Sequence, residues 1–141
     1  VPHAADALRR LGDAVGSVPA LVAHSVGGAI AARAVELGLA VERLVLIAAP
    51  ARYRDYARGH AAALALPADE TTAMLGQLAS VYGVDVRRYA TPESVARIAV
   101  PGLVVHSSDD AVVPFRDAEA IAAAWVGAQL KRCEGVGHRR I

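Results

Sequence analysis

The hydrophobic pattern divides the chain into stripes at helical spacing and short unbroken apolar runs. Ala4, Leu8, Leu11 and Val15 recur about once per helical turn and predict an amphipathic helix over residues 2–15. Pro2 suits its first position and Gly16 its stop. Residues 20–23 are a short apolar run, read as a strand. Ala29, Ile30, Arg33, Ala34 and Leu37 then continue at helical spacing to a stop at Gly38. Residues 43–48 read Arg-Leu-Val-Leu-Ile-Ala, with no polar alternation. Such a run is expected of a parallel strand with helices over both faces.

Residues 51–100 carry further helical patterns. One spans 53–66 and breaks at Pro67. The next spans 69–83, with Glu70 in its first turn, Met74, Leu78 and Val81 along it, and a stop at Gly83. A short one opens at Thr91-Pro92 and carries Val95 and Ile98. A strand over 102–106, Gly-Leu-Val-Val-His, leads into the polar loop Ser107-Ser108-Asp109-Asp110. A helix with Ala118, Ile121, Ala122 and Trp125 on one face follows, then a strand over 129–133 and a loop over 134–138.

Helices alternating with strands predict an α/β domain over residues 1–141, with a parallel sheet and right-handed crossovers. A simple crossover needs about a dozen residues. The surplus in 51–100 is therefore read as a helical cap inserted over a site, the alternative being filler on the outside of the sheet. Tyr53, Tyr56, Met74 and Tyr82 are candidate cap-lining residues, and each also fits ordinary helix packing.

Composition narrows the function. At 141 residues and 55% apolar, the chain can bury a core. Its net charge is +1, and its arginines are scattered beside the single Lys131. Neither nucleic acid nor an anionic membrane is an expected partner. No apolar run reaches membrane-spanning length. Cys133 is the only cysteine, which excludes an internal disulfide, and its neighbours predict a buried strand end. With no signal-peptide pattern, a cytoplasmic location is expected. The chain begins at Val1 and stops three residues after His138, and both ends are expected to be cut rather than natural.

The chemistry centres on Leu21-Val22-Ala23-His24-Ser25-Val26-Gly27-Gly28. Strand, sharp turn and helix meet here, with Ser25 at the apex. Small residues are expected two before and two after it, Ala23 and Gly27, because larger ones would collide with neighbouring elements. Gly28 is expected to let the helix lie close to the sheet. Ser25 would otherwise serve as an ordinary helix cap. Ser25, Asp110 and His138 each follow a predicted parallel strand, and such strand ends share one edge of the sheet. His24 reads as a packed, hydrogen-bonded residue; His106 falls in a strand, and His3 and His60 in helices. A metal site at Asp109, Asp110 and His138 lacks the usual ligand spacing, so no metal is expected.

In these residues the sequence resembles the α/β-hydrolase family. Ala-His-Ser-Val-Gly-Gly is similar to the family's nucleophile elbow, Asp110-Ala-Val-Val-Pro114 to its Asp-x-x-Val-Pro, and Gly137-His138 to its Gly-His loop. The resemblance implies Ser25 as nucleophile, His138 as its base, Asp110 as the acid that orients His138, and the Val26 N–H as an oxyanion donor. Asp109 is the alternative acid, although the spacing to Pro114 favours Asp110. No cofactor is implied.

The four strands would correspond to strands 5 to 8 of the family's eight. The first half of the sheet, and with it a second oxyanion donor, would be absent. The strand over 20–23 would then be an exposed edge through which the chain is expected to self-associate. The implied function is serine hydrolysis of an ester or related small acyl substrate. Lipase, thioesterase, perhydrolase and carbon–carbon hydrolase chemistry share this constellation, whereas dehalogenases and epoxide hydrolases use an aspartate nucleophile. The alternatives are a non-catalytic binding domain, or a half-domain that needs the missing strands and is nearly inactive alone.

Overall fold

The computed structural model describes residues 1–82 and 89–140. The expected helix stop at Gly83 and the side chain of Tyr82 lie outside the described residues. In chain order the elements are α1 (Pro2–Val15), β1 (Leu21–His24), α2 (Val26–Glu36), β2 (Leu44–Ile47), α3 (Tyr53–Ala63), α4 (Ala68–Tyr82), α5 (Thr91–Val95), β3 (Gly102–Ser107), α6 (Phe115–Ala124) and β4 (Gln129–Cys133). The strands pair in the order β1-β2-β3-β4, and every pair is parallel.

This order explains where the helices sit. When strands are laid down in one direction with right-handed crossovers, the crossover helices fall on one face. Here α2 packs on β1 and β2, and α6 on β3 and β4. α5 bridges α2 and α6, and α1 lies against α2. The core forms under this single layer. Leu44, Leu46 and Val104 from the sheet meet Ala31, Ala34, Val95, Ala118, Ile121 and Trp125 from the helices.

The expectation of helices over both faces is therefore corrected. The register puts Val22, Val45 and Leu103 in one row of the other face, and His24, Ile47 and Val105 in the next. The five apolar residues are exposed or partly exposed, and Val22 is 60% exposed. Apolar runs without alternation show which residues can be buried, not whether a second layer is present to bury them.

Within 51–100, the described helices pack on different elements. α5 belongs to the helical layer, with Val95 fully buried and Ser94 bonded to Glu36 of α2. α3 and α4 pack mainly on one another. Cys133 is half-buried rather than a buried strand end, because β4 is a largely exposed edge strand.

Candidate active site

Ser25 stands between the end of β1 and the first turn of α2. Its backbone has φ 55° and ψ −132°, an unusual conformation for a residue with a side chain. Its N–H still donates to the Ile47 carbonyl at 2.8 Å, so the sheet ladder holds the turn from below. The Gly28 N–H donates to the Ser25 carbonyl at 2.9 Å and starts the helix. Val26 is the first helical residue, and a first-turn N–H has no acceptor within its own helix.

The two glycines differ in role. A Cβ on Gly28 would lie 2.6 Å from the Ala49 Cβ, so α2 lies close to the exit of β2, as expected. A Cβ on Gly27 would meet nothing within 4 Å among the described residues, so the collision expected there is not found. Ala23 faces the helical layer and packs against the core.

The fold brings Ser25, His138 and Asp110 into one hydrogen-bonded series. The Ser25 Oγ lies 3.0 Å from the His138 Nε2, and the His138 Nδ1 lies 2.7 Å from the Asp110 Oδ2. A carboxylate only accepts, so Nδ1 carries the ring proton and Nε2 is left to accept the Ser25 hydroxyl. The His138 side chain is 10% exposed.

Asp110 is fully enclosed by donors. Its Oδ1 accepts the N–H groups of Val112 at 2.8 Å and Val113 at 2.9 Å. Burial alone would raise its pKa. The Val113 N–H, His138 and the Val112 N–H outweigh burial and hold the carboxyl below its ordinary value. It is therefore an anion at neutral pH, set against an imidazole that can gain a proton.

Asp109, the alternative acid, points elsewhere. Its Oδ1 accepts the N–H groups of Gly135 at 3.1 Å and Gly137 at 3.4 Å, and the Ser107 hydroxyl donates to the same oxygen. The Ser107 bond contributes most to holding its pKa low; burial opposes this and the Gly137 N–H adds to it. Asp109 thus fastens the loop that presents His138. Gly135 at φ 72° and Gly137 at φ 58° give that loop its left-handed turns.

His24 fastens the same loop from β1. Its Nε2–H donates to the His138 carbonyl at 2.7 Å, and the two rings lie 4.9 Å apart. The expectation of a hydrogen-bonded His24 fits this contact, although the residue is exposed rather than packed inside. Sequence reasoning missed the loop-holding part of Asp109. Its signal was a second carboxylate beside the first, opposite a glycine-rich loop.

Sequence reasoning also passed over His106, which is buried within the same turn of the fold. Its Nε2 lies 2.9 Å from the Val113 carbonyl and 3.3 Å from the Asp110 Oδ2. His3 and His60 are exposed and lie on α1 and α3. Among the described residues, no group of three or more His, Cys, Asp or Glu side chains is placed to hold a metal. Nor is any helix long and apolar enough to cross a membrane.

A cavity of about 210 Å³ is lined by Tyr56 and Gly59 of α3, Val112 and Val113 of the turn after β3, Arg116 of α6 and their neighbours. Of the candidate cap residues, Tyr56 lines it; Tyr53 pairs with Tyr56, their ring centroids 6.4 Å apart.

Residues 2–141 match the family described as serine hydrolase. No curated protein matches the chain. Among solved structures, an α/β fold family hydrolase from Bacillus anthracis str. Sterne superposes with a TM-score of 0.67 at 14% identity, over 95% of this chain and 66% of its own. The esterase EaEST from Exiguobacterium antarcticum gives 0.66 at 18% identity, over 96% and 65%. MGS-MChE2, an α/β hydrolase enzyme from a metagenome of lagoon sediments at Mar Chica, Morocco, gives 0.66 at 20%, over 95% and 59%. At these identities the likeness concerns the fold. The chain spans 50–66% of the length of the structures it matches.

Proposed function

This chain belongs to the serine hydrolase family, and we propose that it carries the catalytic groups of an enzyme that hydrolyses an ester or related small acyl substrate. The observation that supports this best is the series Ser25 Oγ, His138 Nε2, His138 Nδ1, Asp110 Oδ2, at 3.0 and 2.7 Å. A serine hydroxyl is a weak nucleophile until a base takes its proton during attack. His138 Nε2 is that base, and ionised Asp110 stabilises the imidazolium that forms.

In the reaction, the Ser25 Oγ bonds to the acyl carbon as His138 takes the hydroxyl proton. The carbonyl oxygen becomes an oxyanion beside the Val26 N–H. The carbon–oxygen bond to the alcohol then breaks, and His138 returns the proton to the leaving oxygen. Water attacks the acyl-serine with His138 again as base, releasing the acid and restoring Ser25.

The test is labelling by a fluorophosphonate probe together with hydrolysis of p-nitrophenyl acetate. Ser25→Ala is expected to abolish labelling and lower turnover at least about 10⁴-fold, with the fold retained. Turnover kept by Ser25→Ala would point to another nucleophile and end this reading.

One observation favours a second reading. β1 is an edge strand, so the side of Ser25 away from β2 has no neighbouring strand among the described residues. The resemblance assigns a second oxyanion donor to that side, and lacking one donor costs about 10²–10³-fold in rate. On this reading the 141-residue chain binds and labels but turns over slowly by itself.

A further inference from the structure

We infer that His106 is a positioning residue for Asp110, a second imidazole beside the carboxylate that orients His138. This rests on the proposed roles of Ser25, His138 and Asp110.

His106 is fully buried on β3, on the face under the helical layer. The Val113 carbonyl can only accept, so the His106 Nε2 must carry a proton to bond it at 2.9 Å. The same nitrogen lies 3.3 Å from the Asp110 Oδ2, a close contact beside that bond rather than a second hydrogen bond. That oxygen is the one facing His138 at 2.7 Å. The His106 Nδ1 is buried with no hydrogen-bond partner among the described residues. A proton there would be an unsatisfied buried donor, so Nδ1 carries none.

These contacts close a ring. The Val113 N–H donates to the Asp110 Oδ1, the Val113 carbonyl accepts from His106, and His106 faces the Asp110 Oδ2. His106 thus ties the Val113 carbonyl, and the N–H of that same residue holds the Asp110 Oδ1. Phe115 of α6 closes the other side, meeting the His106 ring edge-on at 6.0 Å, with the Arg132 guanidinium 5.4 Å over the Phe115 ring. An apolar side chain of similar volume would fill this space equally well. The imidazole is distinguished by its N–H, which the Val113 carbonyl accepts beside Asp110.

The chemical consequence is electrostatic: the Nε2–H, bonded to the Val113 carbonyl, places the positive end of its dipole near Oδ2. With that dipole removed, Oδ2 is left freer to stabilise a protonated His138, and the Val113 turn that holds Oδ1 loses its tie. The groups facing this pair are Ser25 and His24 from β1, Asp109 from the β3 turn, and Arg132 from β4 behind Phe115, itself paired with Glu134 at 3.3 Å.

The experiment compares His106→Leu with His106→Gln in the full 141-residue chain. The Gln amide can still donate toward Val113 and Asp110. His106→Leu is expected to lower kcat/KM by about tenfold, as for the loss of one buried hydrogen bond. Its acid limb is expected to move to higher pH by about half a unit. His106→Gln should recover most of both. An imidazole NMR titration of His138 reads the same displacement without turnover. If the wild type failed to label, the Ser25 reading would fall, and the NMR displacement would still decide for or against His106. The inference is overturned if His106→Leu leaves the His138 titration and acid limb in place. It is equally overturned if Leu and Gln lose activity alike with an unmoved limb, which would make His106 a packing residue.

Discussion

At the scale of single residues, the adjacent carboxylates of Asp109 and Asp110 are separated by their partners. Asp110 takes two backbone N–H groups on one oxygen and His138 on the other. Asp109 takes the two glycine N–H groups of the His138 loop. The two should therefore fail in different ways. Asp110→Asn presents an amide where His138 needs an acceptor for its Nδ1–H, and is expected to cost about 10⁴-fold in kcat. Asp109→Ala removes only the hold on the loop, and about 10- to 100-fold is expected, with hydrogen exchange rising at Gly135 and Gly137. Steady-state kinetics on both variants would check this, and a larger loss for Asp109→Ala would reverse the assignment. The sequence offered both aspartates, and only their spacing to Pro114 separated them. Their opposite aims depend on a loop that lies 25 or more residues away in the chain.

At the scale of elements, the meeting of β3 with the end of α6 shows how tightly the helical layer is set. A Cβ on Gly102 would fall 2.3 Å from the Trp125 ring, and the indole N–H donates to the Val100 carbonyl at 3.0 Å. The ring is rigid, 2% exposed and tethered, so it has little room to yield. Gly102→Ala should therefore destabilise the protein by about 1–3 kcal/mol through overpacking. Trp125 is the only tryptophan, so its fluorescence during urea unfolding measures the change directly. An unchanged midpoint would show that the ring moves aside freely. Trp125 read from sequence as part of an apolar helix face, and it is buried as that face predicts. The glycine beneath it carried no such mark, because its partner lies one helix further along the chain.

At the scale of the whole molecule, the sheet formed by the described residues has one face under helices and β1 at its edge. An apolar edge strand with unpaired backbone groups is a template for strand pairing with another chain. Val22 on that strand is 60% exposed, and its row continues through Val45 and Leu103. The chain is therefore expected to self-associate as concentration rises, and Val22→Lys to suppress this by placing a charge on the edge. Sedimentation velocity over a concentration series measures both. A wild-type chain that stays monomeric throughout, or a Val22→Lys chain that associates as before, would count against the edge as the contact.

The sequence by itself determined what local physics can encode. The spacing of Leu8, Leu11 and Val15 on α1, the apolar run of β2, and the stops at Gly16 and Gly38 gave the elements nearly residue by residue. The order of Ser25, Asp110 and His138 after successive parallel strands implied that they meet at one edge, because strand direction is fixed once the connections are helical. Tertiary structure decided what depends on a partner distant in sequence. Among the described residues, it covered one face of the sheet with helices and left the other exposed or partly exposed, since coverage depends on strand order rather than on any strand's composition. It drew α5 into the helical layer through Ser94 and Glu36. It also turned His106 and His24, two histidines with no pattern around them, toward Asp110 and the His138 loop. A periodic stripe is written along the chain, whereas a hydrogen bond between residues 24 and 138 exists only once the strands have been laid side by side.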